Sequence, residues 1–419
     1  MKRMRFAFVS CSIILMSCSI KAQVPHKQNK PNIIFIMADD HAYQAISAYN
    51  SKLLQTPNID RIANEGAIFN RAFVTNSLCG PSRAVILTGK YSHMNGFKDN
   101  TDNFNADQQT LPKILKRNGY NTAIVGKWHL KSQPKDFDYW NVLPGQGNYY
   151  NPGFIKMGKD TVYKGYVTDI TTDLALNWIG SNKEKPFFLM LHQKAPHRNQ
   201  MPPLKYLDLF NDRQFAYPST FFDPYQNKLA LQRNGIRMAE HLDIDYDSKV
   251  PCDSCIVNRK GKWMPKGYKR EVGRLDQQEK KIWDEKYQNE YEAYSKIKTN
   301  DELVKWQFQR YMEDYLRSVK SVDDNIGRLL KYLKDSGLEE NTIIVYTSDQ
   351  GVFLGEHGLY DKRFMYEEAF RTPMMIRYPG VIKPNKRLDQ LVLNLDIAPT
   401  LLEAGEIRYI TIIMKPCMV

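Results

Sequence analysis

Cysteine is scarce, with six in 419 residues, and its placement excludes several uses. Cys252 and Cys255 form the only CxxC, and no second pair completes a four-ligand zinc site. In an exported chain a local disulfide is the expected use of that pair. Cys11 and Cys18 fall at the beginning of the chain and Cys417 at its far end, which leaves Cys79 alone in a setting that reads as chemical. Long apolar runs are missing as well: none reaches the roughly 20 residues of a membrane-spanning helix. There is no repeat at a solenoid period and no motif of the known nucleic-acid readers, so nucleic acid is not an expected partner. Acidic residues are outnumbered, 46 against 59 Lys and Arg, for a formal charge of +13. That excess suits an anionic partner or serves solubility alone.

The N-terminus sets the compartment. Lys2, Arg3 and Arg5 precede an apolar stretch from Phe6 to Met16, and small and polar residues follow to Lys21-Ala22-Gln23. This is the pattern of a secretory signal over 1–22, cleaved after Ala22. The rival is lipid attachment at Cys18, because Leu15-Met16-Ser17-Cys18 is similar to a bacterial lipobox. The expectation is an exported protein, periplasmic or at the cell surface, touching membrane only if lipidated. Residues 23–31 read as a linker.

Asn32 to Met37, Phe187 to Leu191 and Ile343 to Tyr346 are continuous apolar runs, which is how strands buried on both faces read. Leu316, Val319, Ile326, Leu330 and Leu333 recur at helical spacing before the third run. Leu111, Ile114 and Leu115 do the same before Thr122 to Val125. The alternation predicts an α/β fold with a mostly parallel sheet flanked by helices. Ligands in such sheets gather beyond the carboxyl ends of the strands. Asp39, Asp40, Lys127, His129, His197, Asp349 and Gln350 all follow predicted strands. The polar, aromatic-rich stretch from 201 to 300 is either an excursion that shapes a cleft or a loosely packed surface segment.

Cys79-Gly80-Pro81-Ser82-Arg83, followed by Leu87-Thr88-Gly89, resembles the signature of the type I, formylglycine-dependent sulfatases, members of the alkaline phosphatase-like superfamily. The resemblance runs from 32 to 404, the expected catalytic domain. It implies that a sulfatase-maturing enzyme oxidises Cys79 to formylglycine (3-oxoalanine). The hydrated aldehyde carries two hydroxyls on one carbon: one attacks sulfur, and the second lets the adduct collapse, which a thiol cannot do. The residues after Cys79 read as a helix start, which favours anionic oxygen.

The same resemblance implies one calcium ion held by Asp39, Asp40, Asp349, Gln350 and residue 79. These are hard oxygen ligands of the kind calcium prefers, and Gln350 stands where many members carry Asn or His. It implies that Lys127 contacts sulfate and that His129 deprotonates the second hydroxyl. His197 would act as acid near the leaving oxygen, Lys362 would contact the bridging oxygen, and Arg83 would brace the nucleophile. Glu367, Glu368 and Arg371 are expected to hold the scaffold. The segments Asp136 to Trp140 and Leu143 to Pro152 resemble a bacterial subgroup that removes 6-O-sulfate from N-acetylglucosamine in heparan-type chains. Asp361 and Arg363 are then expected to hydrogen-bond sugar hydroxyls or, alternatively, to form a surface ion pair. Sulfatase action on another sulfated sugar stays open, as does phosphoester or phosphonate hydrolysis. Family members continue beyond Leu402 into a small C-terminal subdomain, which 405–419 does not resemble. A third reading is therefore a truncated remnant without activity.

Overall fold

The computed structural model describes residues 30–250 and 267–407. The signal segment, the Cys252–Cys255 pair and the end of the tail lie outside the described residues. Twelve strands form: β1 Asn32–Ala38, β2 Ala67–Phe73, β3 Asn121–Lys127, β4 Tyr139–Leu143, β5 Gly153–Lys156, β6 Lys159–Val162, β7 Phe187–Gln193, β8 Thr342–Ser348, β9 Phe353–Leu354, β10 Tyr360–Asp361, β11 Met374–Arg377 and β12 Lys386–Leu393. Ten of them make one sheet in the order β12-β2-β11-β8-β1-β7-β3-β4-β5-β6. The central block β8-β1-β7-β3-β4 is parallel throughout, as expected. β11 runs antiparallel to both its neighbours, and β5 and β6 close the far edge as antiparallel ribbons.

The three apolar runs are β1, β7 and β8, each buried at every position. Alternate side chains serve opposite faces. Ile33, Phe35 and Met37 join a cluster with the helices Cys79–Thr88, Leu111–Arg117 and Ile397–Ala404. Ile34, Ile36 and Ala38 join another with Pro57–Asn64, Val167–Asn182 and Asn300–Asp335. The last is the predicted helix before β8, extended at its start. Thr299 caps it and Glu302 reaches back to complete a capping box.

No strand occurs in the described part of 201–300, yet the segment is not loosely packed. Phe215, Phe221, Leu231, Met238 and Leu242 form a third cluster with Phe308, Tyr311, Tyr315, Phe353 and Tyr360. This packing lays the segment beside the carboxyl ends of the parallel strands. Among the described residues no helix is long and apolar enough to cross a membrane.

Candidate active site

Because β8, β1, β7 and β3 are adjacent and parallel, their carboxyl ends share one edge: Ala38 pairs with Gln193 and Ser348, and Gly126 with His192. The chain continues from there into Asp39-Asp40, Asp349-Gln350, Lys127 to His129, and the loop carrying Lys194 and His197. The sheet thus collects the polar residues that the sequence scatters over 300 positions. Cys79 joins them as the first residue of the helix Cys79–Thr88, every residue of which is buried.

Three carboxylates form the heart of the site. Asp39, Asp40 and Asp349 each place an oxygen within 4.8 Å of the others, and all three are buried. Three cations answer them. Lys127 Nζ donates to Asp39 and Lys362 Nζ to Asp40. Arg83, one helical turn after Cys79, donates from Nε and Nη2 to Asp349 Oδ2 at 3.0 and 2.8 Å. Its Nη1 reaches the Lys127 carbonyl at 2.9 Å, so one guanidinium ties the ends of β3 and β8 together. Gln350 Nε2 donates to Asp40 and Asp349 and lies 3.8 Å from Cys79 Sγ. His197 Nε2 stands 3.7 Å from Asp40 Oδ2.

Burial governs the electrostatics here. It pushes Asp349 up to about 7, with the Asp39 charge adding to it and Arg83 opposing. Asp39 stays well below the carboxylate range: burial raises it, but Lys127, His197 and Arg83 outweigh that. The Cys79 thiol is pushed up to about 12 by burial, against the pull of Lys362 and Lys127. A thiol so placed is uncharged at neutral pH and is not an activated nucleophile. His129 falls to about 2, through burial and then the Lys127 charge. His197 is also held well below the histidine range, chiefly by burial. Both imidazoles are neutral, and a neutral ring can accept a proton.

The donor set fits a hard divalent cation. Asp39 Oδ1 and Gln350 Oε1 are buried acceptors without a hydrogen bond, Asp39 Oδ1 having only the Arg83 Nη2 ion pair at 3.4 Å. Buried oxygens without donors are uncommon in native proteins, and clustered carboxylate and amide oxygens are calcium's preferred ligands.

All predicted site residues converge except at the rim. Asp361 is 8% exposed, while the Arg363 side chain is 40% exposed. The two pair with each other at 3.3 Å, and Lys362 Nζ lies 3.6 Å from Asp361. Asp40, His129, Asp361 and Arg363 all hold positive φ, at 62°, 55°, 68° and 98°. Non-glycine residues rarely adopt this backbone, which concentrates where function demands it. Glu367 and Arg371 pair at 2.9 Å, and Arg371 covers the Tyr43 ring, which is a scaffold role.

Two features escape sequence reading. His192, inside β7, places Nδ1 3.0 Å from the Lys127 carbonyl and so braces the same carbonyl as Arg83. A cavity of about 400 Å³ opens from His197. Gln146 and Asn148 line it from the loop after β4, Lys194 and Arg198 from the loop after β7, and Tyr246, Arg270 and Arg274 from the excursion.

The family profile described as Sulfatase matches residues 31–407. An N-acetylglucosamine-6-O-sulfatase of Bacteroides thetaiotaomicron is 48% identical over 398 residues, covering 94% of this chain and 70% of the relative. A solved structure described as in complex with its substrate D-glucosamine-2-N,6-O-disulfate superposes with a TM-score of 0.87 at 47% identity. It covers 92% of this chain and 78% of that one. The phosphonate monoester hydrolase of Agrobacterium radiobacter shares the fold, with a TM-score of 0.63 at 19% identity over 90% of this chain and 74% of that one.

Proposed function

The chain belongs to the sulfatase family and is an enzyme that hydrolyses sulfate esters, and on that premise we propose that it removes the 6-O-sulfate of N-acetylglucosamine in heparan-type glycans. The 48% identity to an N-acetylglucosamine-6-O-sulfatase supports the substrate. The observation that carries the chemistry is Cys79 at the first turn of a buried helix, facing three carboxylates, with a thiol that burial leaves uncharged. Conversion of Cys79 to formylglycine by a maturing enzyme supplies an oxygen nucleophile where the thiol is inert.

Asp39, Asp40, Asp349, Gln350 and residue 79 would hold one calcium ion, which supplies Lewis-acid polarisation of the sulfate ester. The side chains around it divide the remaining work. Lys127 and Lys362 bring positive charge to oxygens that grow negative as the S–O bond breaks. Neutral His129 accepts the proton of the second hydroxyl. His197, at the mouth of the cavity, would hand a proton to the departing sugar oxygen once the negative charge of the bound sulfate has raised its pKa. Arg83 fixes Asp349 and thereby the nucleophile's surroundings. Asp361 and Arg363 reach sugar hydroxyls from the rim. Export through the 1–22 signal, or anchoring at Cys18, gives the enzyme access to such glycans.

Sulfate release from defined sugars tests the reading, using protein co-produced with a maturing enzyme. Calcium-dependent release from N-acetylglucosamine 6-sulfate, absent from 2-O- and 3-O-sulfated sugars and abolished in Cys79→Ala, is the expected result. Release from another sulfated sugar instead would replace the substrate. No release from any, with formylglycine confirmed by mass spectrometry, would leave only a glycan-binding remnant.

A further inference from the structure

The cavity beside His197 contains an unusual group. Lys194 is 3% exposed, and among the described residues its Nζ has no hydrogen-bond or ion-pair partner, only the face of the Tyr149 ring at 4.6 Å. A buried ammonium without an anion is costly, and a cation–π contact offsets only part of that. The other charges lining the cavity are differently disposed. Arg198 is spent on Asp247, with Nε and Nη2 each at 2.6 Å. Glu271, the acid of the lining, is spent on Arg270 at 2.8 Å. Arg274 donates to the carbonyls of Tyr150 and Asn151 at 3.2 and 2.8 Å and, among the described residues, pairs with no acid. Lys194 and Arg274 thus face one cavity with no carboxylate in hydrogen-bond or ion-pair contact among the described residues, and Glu271 in the same lining acts on Lys194 only through space.

The position of the cavity says what enters it. His197 lines the cavity and also approaches Asp40 within 3.7 Å, so it separates the reacting centre from this space. A sugar whose ester oxygen lies at His197 has the volume that Lys194 faces directly beside it.

Building on the sulfatase reading above, we infer that Lys194 and Arg274 form a specificity subsite for a second anionic substituent of the glycan, apart from the sulfate that is cleaved. The shared chemistry is an oxyanion on the leaving sugar or its neighbour: a second sulfate group, or the carboxylate of an adjoining uronic acid. Lys194 reads its charge, and Gln146 lines the space beside it, while the Asn148 amide is engaged by Glu271 at 3.3 Å.

The test compares three substrates: N-acetylglucosamine 6-sulfate, glucosamine N,6-disulfate, and a disaccharide joining a uronate to N-acetylglucosamine 6-sulfate. The readout is the ratio of kcat/KM for each doubly anionic substrate to that for the first. Wild type should prefer at least one of the two, and which one identifies the source of the anion. Lys194→Met should lower that ratio by about 10-fold or more, through KM, the scale of losing one charge-assisted hydrogen bond. Arg274→Gln should lower it in the same direction, and Lys194→Arg should restore most of it. An unchanged ratio in folded Lys194→Met, or a uniform loss on all three substrates, overturns the subsite. If Lys194→Met fails to fold, Arg274→Gln decides alone by the same ratio. Should wild type cleave none of the three, the 6-sulfatase reading fails separately. The subsite then stands or falls on calorimetric binding of heparin disaccharides: about 10-fold weaker for Lys194→Met supports it, and equal affinity overturns it.

Discussion

Burial favours the uncharged form of any group it encloses, but its consequences differ at Cys79 and Lys194. For Cys79 it removes thiolate chemistry altogether at neutral pH. For Lys194 it brings the ammonium within reach of ordinary buffers: burial and then the Lys127 charge pull its pKa down to about 8, against Glu271, Asp39 and Asp40, which hold it up. Below about 8 the group is charged and attracts an oxyanion; as pH rises through that value the attraction fades. Preference for a doubly anionic sugar should therefore decline between pH 7 and 9, and because it is a ratio of substrates, other ionisations of the enzyme largely cancel. Lys194→Arg, whose guanidinium stays charged, should hold its preference to pH 9. A wild-type preference that stays flat across this range would mean that Lys194 does not carry it.

At the scale of elements, what could be read from sequence follows from periodicity. β1, β7 and β8 are legible because strands buried on both faces must be apolar at every position, and their polar successors stand out by contrast. The Cys79 helix is legible because its signature is dense. His192 is not, since a histidine within an apolar run carries no mark of which carbonyl it braces. Gly126 is equally silent, yet it decides how β3 delivers Lys127. It holds φ +100°, and a Cβ there would sit 1.9 Å from the His192 carbonyl oxygen. Gly126→Ala should therefore cost about 3 kcal/mol or more from overpacking and strained backbone together, with sulfate release lost as Lys127 shifts. Gly158, in the turn between β5 and β6, has φ +83° but nothing within 4 Å. Gly158→Ala should cost only about 1 kcal/mol and leave activity intact. Thermal melts and sulfate release on both variants check this contrast; similar melting for the two would show that the β3–β7 approach is not the constraint.

Across the whole molecule, the site depends on tertiary assembly to different degrees. The carboxylates could be anticipated because they come from two strand ends and a family signature. The cavity could not, except for Gln146 and Asn148 in a segment already marked by resemblance. Its remaining walls come from the loop after β7 and from an excursion without periodicity, and tertiary packing brings them there: Val272 and Leu275 join the cluster of Tyr149, Tyr150 and Tyr166, and Arg274 holds the Tyr150 and Asn151 carbonyls. The same assembly makes metal and fold interdependent. Asp39-Asp40 and Asp349-Gln350 are far apart in sequence, and an unfolded chain cannot present them together. A cation held by both pairs binds the native state alone, and stabilises it by about 2.7 kcal/mol when its concentration is 100 times Kd. Calcium should therefore raise Tm progressively with concentration, and chelator should reverse the gain. Asp349→Asn, which keeps the side chain's size but removes a charge, should melt at one temperature with or without calcium. Magnesium should do less, since it demands a stricter octahedral shell than these carboxylates and amide are arranged to give. A wild-type Tm indifferent to calcium would remove the metal from this site, and with it the reason three buried acids stand so close together.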